Sequence, residues 1–264
     1  MAVAVLPLCH PIRMAEDLAV LDLLSRGRVE VTIGLGYRPH EYRMFGIDKK
    51  RRVAVLEENL RILELAWSGE PFDYRGEEIV VRPQPHQRPR PPIYIGGSAE
   101  ASAIRAARFG DGYRPVAPGL WEIYVQECAR LGRPIGAKPP GKGPLFLHVS
   151  EDPERDWEVV VPHILYTATS NAEWAKERGV GATPYATATT VDELKAHPRF
   201  MVVTPDELTE HMLALPAEAE VGFQPLMGGL SPEIGWQSLH LFEERVLPSL
   251  MDAGVVDVPA DPAP

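Results

Sequence analysis

Cysteine is scarce: Cys9 and Cys128 are the two thiols in 264 residues. They give no disulfide framework and no metal-ligand spacing, and they suit a reducing cytoplasm. His86, His148, His163, His197, His211 and His240 are scattered, with no pair at HExxH spacing, so no metal site is expected. Long apolar runs are missing too, so no segment approaches a membrane span. The apolar start, Met1 to Leu8, lacks the basic flank and cleavage site of a signal peptide. Positive charge is in deficit: 27 Lys and Arg stand against 37 Asp and Glu, for a formal net charge of -10. No basic stripe compensates, which argues against nucleic acid or an anionic membrane as a partner. The dinucleotide fingerprint GxGxxG is absent, because Gly34-Leu35-Gly36 has no third glycine at that spacing. No paired carboxylates and no nucleophile–base motif stand out, which leaves hydrolytic chemistry the least supported class.

What the chain does have is apolar content and punctuation. Hydrophobic residues make up 45%, enough for a sizeable core. The 27 prolines cluster at 83–92, 134–144 and 258–264, which read as loops and a loose tail. Val3 to Leu6 predicts a short buried strand, and Pro11 starts a helix to about Ser25 that Gly27 stops. Val29 to Ile33 is the next strand. A helix over 49–67 carries Val53, Leu56, Leu60, Leu63 and Trp67 on one stripe and ends at Gly69. Phe72 to Val81, around Gly76, reads as a hairpin.

Further strands are expected at 92–95, 112–114, 145–149, 201–203 and 221–226. Helices are expected after Gly96-Gly97-Ser98 and at 121–131, after 204 and at 236–251. Thr204, Pro205 and Glu207 form a capping-box start. Asp22 and Arg28, which flank a helix end, read as an ion pair or as caps. Residues 151–198 show helical pieces but no clear period and read as an insertion. Six alternating strand–helix units indicate α/β architecture with a parallel sheet.

Five stretches, in order, resemble the luciferase-like monooxygenase family. They are Leu6-Pro7-Leu8-Cys9-His10-Pro11 with the segment to Arg28; Gly34-Leu35-Gly36-Tyr37 with Pro39-His40-Glu41 and Phe45-Gly46; Glu57-Glu58 through Glu70 and Tyr74-Arg75-Gly76; Pro91 through Ser98 with Gly110-Asp111-Gly112-Tyr113; and Phe242 through Pro248. The resemblance implies a (β/α)8 TIM-type barrel that binds FMN or coenzyme F420 at the strand C-terminal ends. Family members usually carry about two strand–helix units before the segment resembling Val3 to Pro11. The expectation is therefore a barrel lacking about its first two units, with raw edges at Val3–Leu6 and Val221–Leu226. One incomplete barrel domain would span 1–252, followed by a flexible tail at 253–264.

The resemblance further implies a cytoplasmic oxidoreductase, a small organic substrate, and a flavin reductase or a second copy of the chain as candidate partners. Reduced FMN would react with oxygen, or F420 would exchange a hydride. A non-catalytic flavin-binding or partner-subunit protein is the alternative.

Gly96, Gly97 and Ser98 sit between a strand and a helix, where backbone N–H groups suit a phosphate. They serve equally as a plain turn with Ser98 as N-cap. The resemblance places Gly34, Gly36, Tyr37 and Arg38 beside the cofactor, against the simpler reading of a tight turn. His40 and Glu41 either move a proton and orient a substrate, or hold their loop. His10 either faces substrate or cofactor, or only starts a helix.

Overall fold

The computed structural model describes residues 3–139, 143–177, 190–216, 219 and 221–256. Internal contacts divide the chain into two compact units, Met1–Pro139 and Pro140–Pro264.

The first unit is built on strand–helix alternation. β1 (Ala4–Val5) leads through a 3-10 turn to α1 (Pro11–Leu24), and β2 (Val31–Gly34) is followed by α2 (Pro39–Met44) and α3 (Arg52–Ser68). A hairpin of β3 (Phe72–Tyr74) and β4 (Glu77–Ile79) precedes β5 (Ile93–Gly97), α4 (Glu100–Phe109), β6 (Gly112–Pro115) and α5 (Leu120–Leu131). The four strands β1-β2-β5-β6 pair in that order, all parallel. Register sets Val31 beside Ile93, Ile33 beside Ile95, and Ile95 beside Tyr113. These side chains share one sheet face and enter one core with Leu18, Leu56, Leu60, Leu63, Trp67, Ala106 and Tyr124. Burying each leucine fully contributes about 1.5–3 kcal/mol.

Sequence periodicity reads α3 well. Leu56, Leu60, Leu63 and Trp67 are at most 2% exposed, and Gly69 ends the helix in the left-handed region. Val53 departs from the stripe: it stands at the helix start and is 36% exposed. Trp67 donates its indole N–H to the Ala15 carbonyl at 3.0 Å, tying α3 to α1. In the hairpin, Arg75 and Gly76 both take positive φ, the signature of a type I′ turn matched to strand twist. Asp22 does not pair with Arg28. Its buried carboxylate accepts from the Gln87 backbone N–H and side-chain amide, both at 2.8 Å, while Arg28 donates to the Ser25 carbonyl.

In the second unit β7 (Phe146–Val149) pairs in parallel with β8 (Phe200–Val203). Between them in sequence come α6 (Pro153–Glu177) and α7 (Val191–Ala196), so the segment expected as an insertion holds a 25-residue helix. Residues 178–189 of it lie outside the described residues. After β8 come α8 (Pro205–Leu213) and α9 (Pro232–Leu241), then a π-turn and α10 (Leu247–Asp252). The expected strand at 221–226 does not form. Val221 to Gln224 run without a ladder, and Pro225 and Leu226 turn into a 3-10 segment at Met227–Gly229. Pro225 carries no N–H to give a ladder, and α9 approaches so closely that a Cβ on Gly235 would lie 2.8 Å from its carbonyl.

Of the expected tail, Val255 donates to Leu250 and Val256 packs against the core, and 257–264 lie outside the described residues. Among the described residues no helix is long and apolar enough to cross a membrane.

Candidate functional site

The C-terminal end of β2 opens into the Gly34–Arg38 loop. β1 crowds this loop: a Cβ on Gly36, which has φ +66°, would lie 2.5 Å from Val5 Cγ1. Glycine is therefore required by steric contact as well as by conformation. The buried Tyr42 of α2 donates its hydroxyl to the Leu35 carbonyl, and Arg52 of α3 donates to the Gly36 carbonyl at 3.5 Å. Burial pushes the Tyr42 phenol up, Arg52 opposes this and Glu41 adds to it, so the hydroxyl stays a donor. The loop is thus clamped from two helices. Within it Arg38 pairs with Glu41 at 3.3 Å, Tyr37 is half-buried, and His40 is exposed on the first turn of α2.

Gly96 and Gly97 are the last residues of β5, beside β2. Ser98 is exposed and is not the N-cap; Ala99 is, and α4 begins at Glu100. With no oxygen on the Ala99 side chain, the first turn of α4 gains no cap from it. Ser102 fills the space beneath instead. Its hydroxyl donates to the Ala99 carbonyl at 2.5 Å and accepts from the Ala99 backbone N–H at 3.4 Å, and the Tyr113 hydroxyl shares its one proton between Ser102 Oγ at 2.8 Å and the Gly97 carbonyl at 3.2 Å. A Cβ on Gly97 would lie 2.3 Å from Ser102 Oγ. Gly97 is therefore explained by this packing before any ligand is considered. Sequence reasoning missed Ser102 and Tyr113; the serine at the third helical position was the available signal.

His10 is the N-cap residue of α1 and is exposed. Its Nε2 lies 3.3 Å from the Tyr74 hydroxyl of the hairpin. The structure thus brings together Gly34 through Glu41 in one loop and sets Gly96 to Ser98 on the neighbouring strand end. It ties His10 to the hairpin instead.

The other face of the sheet is polar. Arg114 of β6 lies 4.4 Å over the Tyr94 ring and 3.5 Å from the Glu30 carboxylate. Burial pushes the Tyr94 phenol up, Glu30 reinforces this and Arg114 opposes it.

Helix starts separate the two units. In the first unit α1, α2, α4 and α5 begin at His10, Arg38, Ala99 and Gly119 without a side-chain cap, whereas α3 continues from a 3-10 turn that Asp48 caps. In the second unit Thr190, Thr204 and Ser231 cap α7, α8 and α9, the Asp152 carboxylate accepts from Arg155 N–H at the start of α6, and α10 starts at Val246 without a cap. Uncapped N–H groups next to strand ends are the ones an anion can reach. A cleft lined by Arg13, Glu16, Asp17, Val20, Leu21, Arg82 and Pro83 runs along α1 and shares no residue with these loops. Among the described residues no group of acidic, histidine or cysteine side chains could hold a metal ion.

The profile of the luciferase-like monooxygenases matches residues 1–222. The FMNH(2)-dependent dimethylsulfone monooxygenase of Pseudomonas putida is 25% identical over 257 residues, covering 89% of this chain and 67% of that protein. The F420-dependent glucose-6-phosphate dehydrogenase of Nakamurella multipartita is 25% identical over 253 residues, covering 91% and 74%. The chain spans as little as 32% of other curated relatives that it matches. Among solved structures, the oxygenating constituent of 3,6-diketocamphane monooxygenase from Pseudomonas putida, in complex with FMN, superposes with a TM-score of 0.60. It is 20% identical, and the match covers 94% of this chain and 79% of that one.

Proposed function

Because the chain belongs to the luciferase-like monooxygenase family, we propose that it is a flavin- or F420-dependent oxidoreductase acting on a small organic substrate. The observation that carries this reading is the pair of neighbouring strand-end loops, Gly34–Arg38 and Gly96–Ser98, the second of which opens into a helix start that its own N-cap residue leaves uncapped. Such a turn fits a phosphate: backbone N–H groups and the helix dipole face it, and the exposed Ser98 hydroxyl is free to donate.

When bound, reduced FMN supplies oxygen activation for a monooxygenation, whereas F420 supplies hydride transfer. The chain's own residues bind and orient. Gly96, Gly97 and Ser98 hold the phosphate end. Gly34 and Gly36 let the loop lie close against the start of the chain beside the cofactor, and Tyr37 packs on the cofactor or hydrogen-bonds to it. Arg38 presents a charge whose direction Glu41 fixes through their ion pair. Glu41 is then a positioning residue. His40, exposed on the same loop, orients the substrate or exchanges a proton with it. His10, whose Nε2 meets the Tyr74 hydroxyl, shares that role from the next strand end.

Titrating the whole chain with FMN and with F420, read by quenching of cofactor fluorescence, tests this. Saturable binding of one cofactor is expected, weakened in Ser98→Ala by a lost charge-assisted hydrogen bond of about 1.5–3 kcal/mol. Failure of both cofactors to bind, or a Ser98→Ala protein with unchanged affinity, contradicts the proposed site.

A further inference from the structure

The acidity of the chain hides a local reversal. Residues 38–52 hold six cations (Arg38, Arg43, Lys49, Lys50, Arg51 and Arg52) against Glu41 and Asp48, a net of +4 in a chain that totals -10. The two carboxylates are already committed, Glu41 to Arg38 and Asp48 to the Lys50 backbone N–H. Arg43, Lys50 and Arg51 are exposed, and the ion pairs found among the described residues include none of the three. The fold gathers them: Arg43 lies on α2, Lys50 and Arg51 on the 3-10 turn before α3, and these two elements pack together. The bond from Arg52 to the Gly36 carbonyl ties this basic turn to the end of β2.

Unneutralised like charges on packed elements repel one another, so an arrangement that keeps them favours a multiply charged anion. A second copy docking by two-fold symmetry would set this cluster against itself, which like-charge repulsion opposes. Nucleic acid and anionic membranes are repelled by the surplus of negative charge on the rest of the chain.

We propose that Arg43, Lys50 and Arg51 form a receiving site for the multiply anionic tail of a small ligand whose body lies at the Gly34–Arg38 loop. The location of that body rests on the cofactor reading above; the anion chemistry of the cluster does not. Two sources carry such a tail: the cofactor, as in the phosphate and acidic chain of F420, or a polyphosphorylated substrate. FMN, with a single phosphate, would use the cluster least.

The test compares the parent with the triple variant Arg43→Gln, Lys50→Gln, Arg51→Gln. Probes are F420, its chromophore stripped of phosphate and tail, and inorganic tripolyphosphate, with a thermal melt to show that both proteins are folded. The parent is expected to prefer F420 over the stripped chromophore by about tenfold at low salt, a preference that shrinks as salt screens the charges. In the variant that preference should collapse while affinity for the stripped chromophore holds. Loss of tripolyphosphate binding with F420 unaffected assigns the cluster to a substrate tail. Unchanged affinity for both tailed probes, in a variant that melts like the parent, overturns the proposal. If neither protein binds F420 or FMN, the cofactor reading fails, and tripolyphosphate still decides whether the cluster binds anions.

Discussion

Four helix starts in the first unit are bare, whereas four in the second are capped. In Pro140–Pro264, Asp152, Thr190, Thr204 and Ser231 each satisfy N–H groups at a helix start. In Met1–Pro139 α1, α2, α4 and α5 take no side-chain cap, while α3 continues from a 3-10 turn whose start Asp48 caps. A cap contributes about 1 kcal/mol, so four omissions are a real cost to stability. The units also differ in core. The first has a single cluster running from Leu6 to Cys128, whereas β7 divides the second, with Phe146 in one cluster and Leu147 and Val149 in another. Stability in the first unit therefore rests on packing.

The largest effect expected is in the cores. Leu63→Ala, at a fully buried position of the continuous cluster, should cost about 2–5 kcal/mol, more than Leu208→Ala in the smaller cluster, which relaxes more readily around a void. Urea denaturation of both variants measures this; equal losses would remove the distinction between the cores.

Next comes the turn before α4. Gly97→Ala would press a Cβ onto Ser102, with an expected cost of about 1–3 kcal/mol. Ser102→Gly removes the clash along with the Ser102 bonds, so the double variant should lose less than the two single losses summed, as thermal melts of all three would show. If the two losses simply add, Ser102 is not what requires the glycine.

The second unit should carry the stronger acid sensitivity. Burial holds the His148 imidazole below its ordinary value, against the pull of Asp156. Burial alone would raise the Asp156 carboxyl, but bonds from Arg155 and Ser150, with the Arg155 and His148 charges, bring it below the carboxylate range. Both depressed groups make the unfolded chain the better proton acceptor. Stability is therefore present at neutral pH and falls as pH drops below the ordinary histidine value, and again below the ordinary aspartate value. One histidine proton gives a slope of at most about 1.4 kcal/mol per pH unit. His148→Phe should flatten the melting temperature between about pH 5 and 7. An unchanged slope would place the titrating group elsewhere.

Sequence alone made the regular parts of this account legible. The stripe of Leu56, Leu60, Leu63 and Trp67 and the Thr204–Glu207 capping box follow from spacing, because each is satisfied within one element. Spacing failed where tertiary packing decides. Val221 to Leu226 is apolar enough for a strand, but α9 packs against Pro225 and no ladder partner exists among the described residues. In α6 the buried positions Val160, Val161, Ile164 and Ala168 follow a helical period that Pro162 obscures. The strand-end loops were found from their glycines, but the tie of His10 to Tyr74, the bond of Asp22 to Gln87 and the Ser102–Tyr113 support join residues far apart in sequence. Ser98, read as a cap, is displaced from that role by Ala99, one residue later than turn chemistry suggested.

The most direct test gives the bare helix of the first unit the kind of cap that the second unit uses. Ala99→Asp places a carboxylate at the α4 N-cap, where it should keep or raise thermal stability, by up to about 1 kcal/mol. If that helix start receives a cofactor phosphate, the same carboxylate occupies its N–H groups and repels its charge. Affinity for FMN or F420, whichever the parent binds, should then fall by about tenfold or more. Fluorescence titration of the two proteins beside their melts decides it. A variant that is as stable as the parent and binds the cofactor much more weakly is the predicted result. Equal affinity in the two would contradict the claim that the open helix starts of the first unit form the cofactor site.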